Sequence, residues 1–209
     1  MVKLFVKIVI KKPILMGNIT KQIKIKTPRP YLSWSQLQLF ERNPELYREV
    51  YIEGRELYPT SALETGKELA MAIENGESDN AIIEHLRRFL PNYPKVEYEI
   101  KAKLGDIQLF GKLDGYNPRK KIIGEIKTGK KWTQKMVDTS GQLTFYALLI
   151  WLKYKTLPEI YLHWCEANDG ELTGEIKTFK TQRNMIDLIK FSSRIKKVWE
   201  GIKELCQKK

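Results

Sequence analysis

Residues 111 to 130 read GKLDGYNPRKKIIGEIKTGK, and the rest of the chain is arranged around this stretch. Two short strands joined by a turn account for it. Leu113 and Asp114 end the first, Asn117-Pro118-Arg119-Lys120 turns the chain, and Ile122 to Lys127 forms the second. Side chains alternate across a strand, so Ile123, Glu125 and Lys127 share one face and Ile122, Gly124 and Ile126 the other. Hairpin pairing is expected to bring Asp114 beside Glu125 and Lys127. Two carboxylates and an amine then converge at a strand end, the constellation that a hydrolytic metal site needs. Magnesium takes a few carboxylate oxygens in octahedral geometry and keeps several waters. Asp114 and Glu125 supply charge for such an ion, and Lys127 can orient an attacking water or steady developing phosphorane charge.

Downstream, Thr128 to Trp132 reads as a loop whose Lys130, Lys131 and Trp132 suit phosphate contact and base stacking, or equally a solvated loop. A helix is expected from about Asp138 to Tyr154, started by Asp138, Thr139 or Ser140, with Leu143, Ala147, Ile150 and Trp151 as its buried stripe. Gln142 and Tyr146 lie one turn apart on it and project from one face. Strands over Ile160–Glu166 and Glu171–Phe179 come next, then an amphipathic helix from about Arg183 to Leu205 with Met185, Leu188, Ile195 and Val198 facing inward. Gly174-Glu175-Ile176-Lys177-Thr178 nearly repeats Gly124 to Thr128, but it lacks a preceding hairpin Asp and reads as an outer strand. His163, set among aromatics in a strand, reads as structural.

Upstream, Lys95–Ala102 and Ile107–Leu113 alternate as strands around a turn at Gly105-Asp106. Helices are expected over Ser61–Asn75, where Ser61 and Glu64 resemble a capping box, and over Asp79–Phe89, closed by Pro91. A broken helix pair fits residues 33–52, with Ser33 or Ser35 as cap and Asn43-Pro44 as the break. Residues 1–27 read as a basic β-hairpin or arm, set off by Thr27-Pro28-Arg29-Pro30 from a main domain over 28–209.

The chain has 209 residues, 42% of them hydrophobic, enough to bury a core as one domain. Its 37 Lys and Arg against 25 Asp and Glu give a formal charge of +12, which favours a polyanion partner, nucleic acid before membrane. A lysine-rich, warm-adapted protein accounts for such charge as well. Cys165 and Cys206 are too few for a cysteine zinc site or an iron-sulfur cluster. Without a signal peptide or a bilayer-length apolar run, the expectation is a cytoplasmic (intracellular) protein with no membrane association.

Asp114 followed about ten residues later by Glu125-x-Lys127 resembles the PD-(D/E)XK nuclease superfamily, and Gln142-x-x-x-Tyr146 on the next helix resembles its RecB-like branch. The order SWSQLQLFERNPELY, LETGKELAMAIE, GKLDGY, GEIKTGK and GQLTFYA is that of the branch, over roughly residues 31 to 180. The resemblance implies an α/β (α+β) fold of the restriction-endonuclease-like kind, a central mixed sheet flanked by helices. It implies a metal-dependent DNA nuclease that hydrolyses phosphodiester bonds with metal-activated water. Asp114 and Glu125 would bind Mg²⁺ or Mn²⁺, the carbonyl of Ile126 would add a ligand, and Lys127 would assist the nucleophile. Gln142 and Tyr146 would approach the site and the nucleic-acid backbone. RecB-like nucleases usually carry a metal-binding His four residues after a Gly in the first helix; here that position, after Gly66, is Ala70. Glu68, or Glu64, is the candidate substitute, although Glu64 alternatively caps its helix and Glu68 reads equally as a solvated charge. The cysteines that hold an iron-sulfur cluster in some relatives are absent, so no cluster is expected. DNA is the expected partner, and a homo-oligomer or a helicase partner is compatible with the pattern. A non-catalytic nucleic-acid-binding scaffold on the same fold is the alternative. A hydrolase or binder of small phosphorylated molecules fits the site but leaves the +12 charge without a use.

Overall fold

Alternating apolar residues over Lys95–Leu104 (β1) and Ile107–Asn117 (β2) form an antiparallel hairpin whose turn holds Gly105 at φ 60°, a left-handed conformation that glycine adopts without strain. A computed structural model describes residues 28–57 and 61–207 of the chain, so the hairpin or arm expected over residues 1–27 lies outside the described residues. Strand β3 (Ile122–Gly129) is antiparallel to β2, β4 (Glu159–Asn168) is parallel to β3, and β5 (Glu171–Gln182) is antiparallel to β4. The result is a mixed sheet in the order β1-β2-β3-β4-β5 with helices on both faces, the α/β class expected from the sequence. The near-repeat at Gly174–Thr178 falls on β5 at the sheet edge, with Glu175 and Lys177 exposed.

Parallel strands need a crossover. Between β3 and β4 it is made by α5 (Gln134–Asp138) and α6 (Gly141–Tyr154), where the sequence suggested one helix. Two hydroxyl caps start two helices: Thr133 accepts from the Met136 N–H and Ser140 from the Leu143 N–H. Every residue from Leu143 to Ile150 is buried, because α6 lies between the sheet and the other helices, and Trp151 is only half-buried.

On the α6 side, Leu37 of α1 (Trp34–Arg42) and Phe191, Ile195 and Val198 of α7 (Met185–Gln207) join Leu143, Ala147, Ile123 and Leu162 in one core. Met185, expected to face this core, is exposed at the start of α7. The neighbouring Arg183 takes the inward position. It is 5% exposed and donates to Thr144, Thr181 and the carbonyls of Val137, Ser140 and Gln182. A short helix α2 (Pro44–Tyr47) runs on into a π-helical turn, Arg48–Ile52. On the opposite face, Leu69 and Ala72 of α3 (Ser61–Asn75) and Ile83 and Leu86 of α4 (Ala81–Phe89) cover Cys165 and Leu172.

One irregularity of the sheet matters most. Strands β2 and β3 pair only through Gly115–Gly124, Tyr116–Ile123 and Asn117–Ile122, and then part. Leu32 takes up part of the edge of β2, donating to the Gln108 carbonyl and accepting from the Phe110 N–H. A crevice opens where β3 leaves.

Candidate active site

The crevice begins at Asp114 and Glu125, which continue the β2–β3 register by one step without a ladder bond between them. Asp114 Oδ2 instead accepts the backbone N–H of Ile126 at 2.7 Å. Glu125 is 1% exposed; its Oε1 accepts from Lys127 Nζ at 2.6 Å and from Gln142 Nε2 at 2.7 Å. Its Oε2 is buried with no hydrogen-bond partner. Gln142 spends the second hydrogen of the same amide on the Tyr146 hydroxyl, 3.0 Å away. The five residues singled out from the sequence, Asp114, Glu125, Lys127, Gln142 and Tyr146, thus form one connected group.

Gly115 and Gly124 hold this geometry by what they lack. A Cβ at Gly124 would stand 2.3 Å from the Tyr93 ring, and one at Gly115 would stand equally close, 2.3 Å. Tyr93 fills that space and meets His163 Nε2 at 2.8 Å, while His163 Nδ1 meets Thr178 Oγ1 at 2.9 Å. His163 is therefore structural, 1% exposed, with its imidazole pushed down to about 4 by burial.

The group is short of positive charge. Burial, followed by the Glu125 carboxylate, pushes Asp114 up to about 8 against the pull of Lys127 and the Ile126 N–H. Burial likewise raises Glu125, with Lys127 opposing. Burial lowers the Lys127 ammonium, but Glu125 and Asp114 outweigh it and hold the amine above its ordinary value. Burial and then Glu125 also raise the Tyr146 hydroxyl. Two desolvated carboxylates against one ammonium, with one carboxylate oxygen unpartnered, suit a hard divalent cation that takes oxygen ligands. As the side chains stand, no three His, Cys, Asp or Glu among the described residues form a ready-made ligand set.

A cleft of about 340 Å³ opens over Asp114, Glu125, Ile126, Lys127 and Gln142. Its other walls are Gly66, Lys67 and Ala70 of α3 and Val96 and Glu97 of β1. Ala70 thus lines the cleft at the position where the sequence pattern calls for a histidine. Glu64 and Glu68 are exposed and are not among the residues lining it. Lys130 and Lys131 are exposed too, along a separate shallow cleft with Trp164, Glu166 and Asp169, and Trp132 packs half-buried against the core. A second cleft of about 240 Å³ shares Gln142 with the first and is lined also by Tyr146, Arg29, Ser33, Trp34 and Lys112. Tyr146, 7% exposed, thus reaches solvent at most through its edge.

Glu97 was not legible as a site residue, since it alternates with apolar neighbours like any solvated strand position. Its signal was the turn: counting back from Gly105-Asp106 in a tight hairpin sets Glu97 opposite Asp114.

No family model matches the chain, and no curated protein does. Among solved structures, a candidate exonuclease from Eubacterium rectale is similar over 85% of this chain and 82% of its own, with a TM-score of 0.59 at 13% identity. A phage-related exonuclease from Haemophilus somnus 129PT is similar over 80% of this chain and 82% of its own, with a TM-score of 0.53 at 16% identity. The chain shares the fold of these two exonuclease structures. At these identities the likeness is one of architecture, and the roles of individual residues rest on the geometry above. In this fold, Asp114 and Glu125 sit where the sheet splits, with Lys127 next on the same strand face.

Proposed function

We propose that the protein is a divalent-metal-dependent DNA nuclease of the RecB-like kind. The observation that carries the reading is the buried Glu125 carboxylate, whose Oε2 has no partner, placed beside Asp114 and Lys127 in an open cleft. Asp114, Glu125 and the carbonyl of Ile126 would hold Mg²⁺ or Mn²⁺. When bound, such an ion supplies Lewis-acid polarisation of the scissile phosphate and a more acidic water. Lys127 contributes a fixed positive charge at the cleft wall for the negative charge that develops on the phosphoryl oxygens. Gln142, bonded to both Glu125 and Tyr146, fixes the rotamer of the carboxylate, and Tyr146 acts through it as a positioning residue.

DNA as substrate rests on the +12 charge and on the basic residues near the cleft, Lys67 and Lys112 among them. Lys130 and Lys131 would meet phosphates farther along the strand. Among the described residues no helix is long and apolar enough to cross a membrane. Lys127→Ala is expected to abolish cleavage while the circular-dichroism spectrum stays unchanged, and full activity in that variant would remove Lys127 from the mechanism. Ala70 at the cleft wall favours one other reading, a nucleic-acid-binding scaffold without catalysis. A rise in melting temperature with Mn²⁺ that Asp114→Ala removes supports the enzyme over that scaffold.

A further inference from the structure

We infer that Glu97 is a third carboxylate ligand for the divalent cation, reaching the ion across the space that Ala70 leaves, and that Lys112 holds it until the ion binds. The inference rests on the metal-dependent reading of the site given above. Three acidic residues fall in one row across three neighbouring strands: the pairs on either side of it set Glu97 of β1 level with Asp114 of β2, and Asp114 continues the register toward Glu125 of β3. All three line the same cleft. Adjacent strands lie only about 4.8 Å apart, so side chains in one row can converge on a single ion.

The backbone at Glu97, inside β1, departs from strand geometry. Its φ is 49°, in the left-handed region that non-glycine residues rarely enter. The β1–β2 ladder keeps Val96–Gly115 and Tyr98–Leu113 but omits the Glu97–Asp114 pair between them. Strain of this kind persists where the surroundings impose it and gathers at functional sites. An ion pair with Lys112 does exist, yet it does not account for the twist. The residue directly opposite Lys112 is Glu99, an acid on regular strand backbone, so Lys112 had a partner without any distortion. The Lys112 side chain is 50% exposed, and ion pairs with so exposed a partner are weak. A doubly charged ion in the cleft competes with it easily. The second, independent observation is the unpartnered Glu125 Oε2, buried at the far end of the same row.

The test is calorimetric titration of the purified full chain with Mn²⁺, in the absence of nucleic acid. It compares the wild type with Glu97→Gln, Asp114→Asn, Lys112→Gln and the double variant Glu97→Gln/Lys112→Gln. Melting in chelator establishes that each variant is folded. Glu97→Gln is expected to weaken Mn²⁺ binding by about tenfold or more, the scale on which support of a metal site acts. Lys112→Gln is expected to tighten it several-fold in the wild-type background and to have no effect once Glu97 is gone, which a general charge effect would not reproduce. Asp114→Asn losing Mn²⁺ while Glu97→Gln binds as the wild type does would overturn the role of Glu97 and leave the metal site standing. No Mn²⁺ binding by the wild type would overturn the metal-dependent reading itself.

Discussion

Replacing Glu125 by glutamine is expected to make the metal-free protein at least as stable as the wild type and to remove its response to metal. In the wild type the Glu125 side chain is 1% exposed with Oε2 unpartnered, and burial and the Glu97 carboxylate raise its pKa against the pull of Lys127. A buried charged acceptor left without a partner costs about 1–3 kcal/mol. Glutamine keeps an oxygen for Lys127 and Gln142 and removes the buried charge, at the loss of charge assistance in two hydrogen bonds, about 1 kcal/mol together. The difference is about 0–2 kcal/mol in favour of the variant. For a chain of this size 1 kcal/mol moves the melting temperature by roughly 2–4 °C, so the variant in chelator should melt between the wild-type temperature and about 8 °C above it. Metal at about 100 times its Kd stabilises a binding protein by about 2.7 kcal/mol, or roughly 5–11 °C on that scale. The wild type should gain this with Mn²⁺ and Glu125→Gln should not, so the metal-induced shift separates the two proteins. Differential scanning fluorimetry with chelator and with Mn²⁺ measures both. A variant that melts well below the wild type in chelator, or that keeps the full Mn²⁺ shift, would refute the reasoning.

Stability should fall as pH falls from about 6.5 towards 4, because His163 resists protonation in the folded state, its imidazole pushed down to about 4, while the unfolded chain takes the proton at about 6.5. That difference is about 3 kcal/mol, present in full above pH 6.5, and urea unfolding at pH 7, 5.5 and 4.5 should show a slope that His163→Gln lacks. Gly124→Ala places a methyl 2.3 Å from the Tyr93 ring and should destabilise by about 1–3 kcal/mol or more through overpacking; an unchanged urea midpoint would contradict it. Arg183→Met strips hydrogen bonds from the carbonyls of Val137 and Ser140 at the α5–α6 junction and should cost about 3 kcal/mol, read by the same unfolding assay. DNA affinity should fall steeply with added salt, as fluorescence anisotropy between 50 and 200 mM salt would show, and a flat profile would count against nucleic acid as the ligand.

The Asp114–Glu125–Lys127 group was legible because it depends on one local hairpin, where a period of two and a turn at Asn117–Lys120 fix which side chains meet. The helix carrying Gln142 and Tyr146 was legible as well, but not its division, since Thr133 and Ser140 each cap a helix and only packing decides that both are used. The inward turn of Arg183 beside the exposed Met185 follows from its bonds to the Val137 and Ser140 carbonyls at the α5–α6 junction, a long-range feature with no periodic signature. Glu68 could be tied to the site only if its face of α3 turned toward the sheet; the tertiary packing turned Gly66 and Ala70 there instead. Trp132 read equally as a base-stacking residue or part of a solvated loop, and its half-buried packing had no signature, because aromatic residues beside lysines look alike whether packed or free. Glu97 stayed hidden for a different reason. Its left-handed backbone lies inside an otherwise regular β1–β2 ladder, and strain of that kind has no residue type to announce it.

The most direct test of the nuclease reading is cleavage of labelled single- and double-stranded DNA by the purified protein with Mg²⁺, with Mn²⁺ and with chelator, beside Glu125→Gln prepared identically. Metal-dependent cutting that the variant loses is the predicted result. Binding of DNA by both proteins with no cutting in either metal would contradict it and leave a scaffold on a nuclease fold.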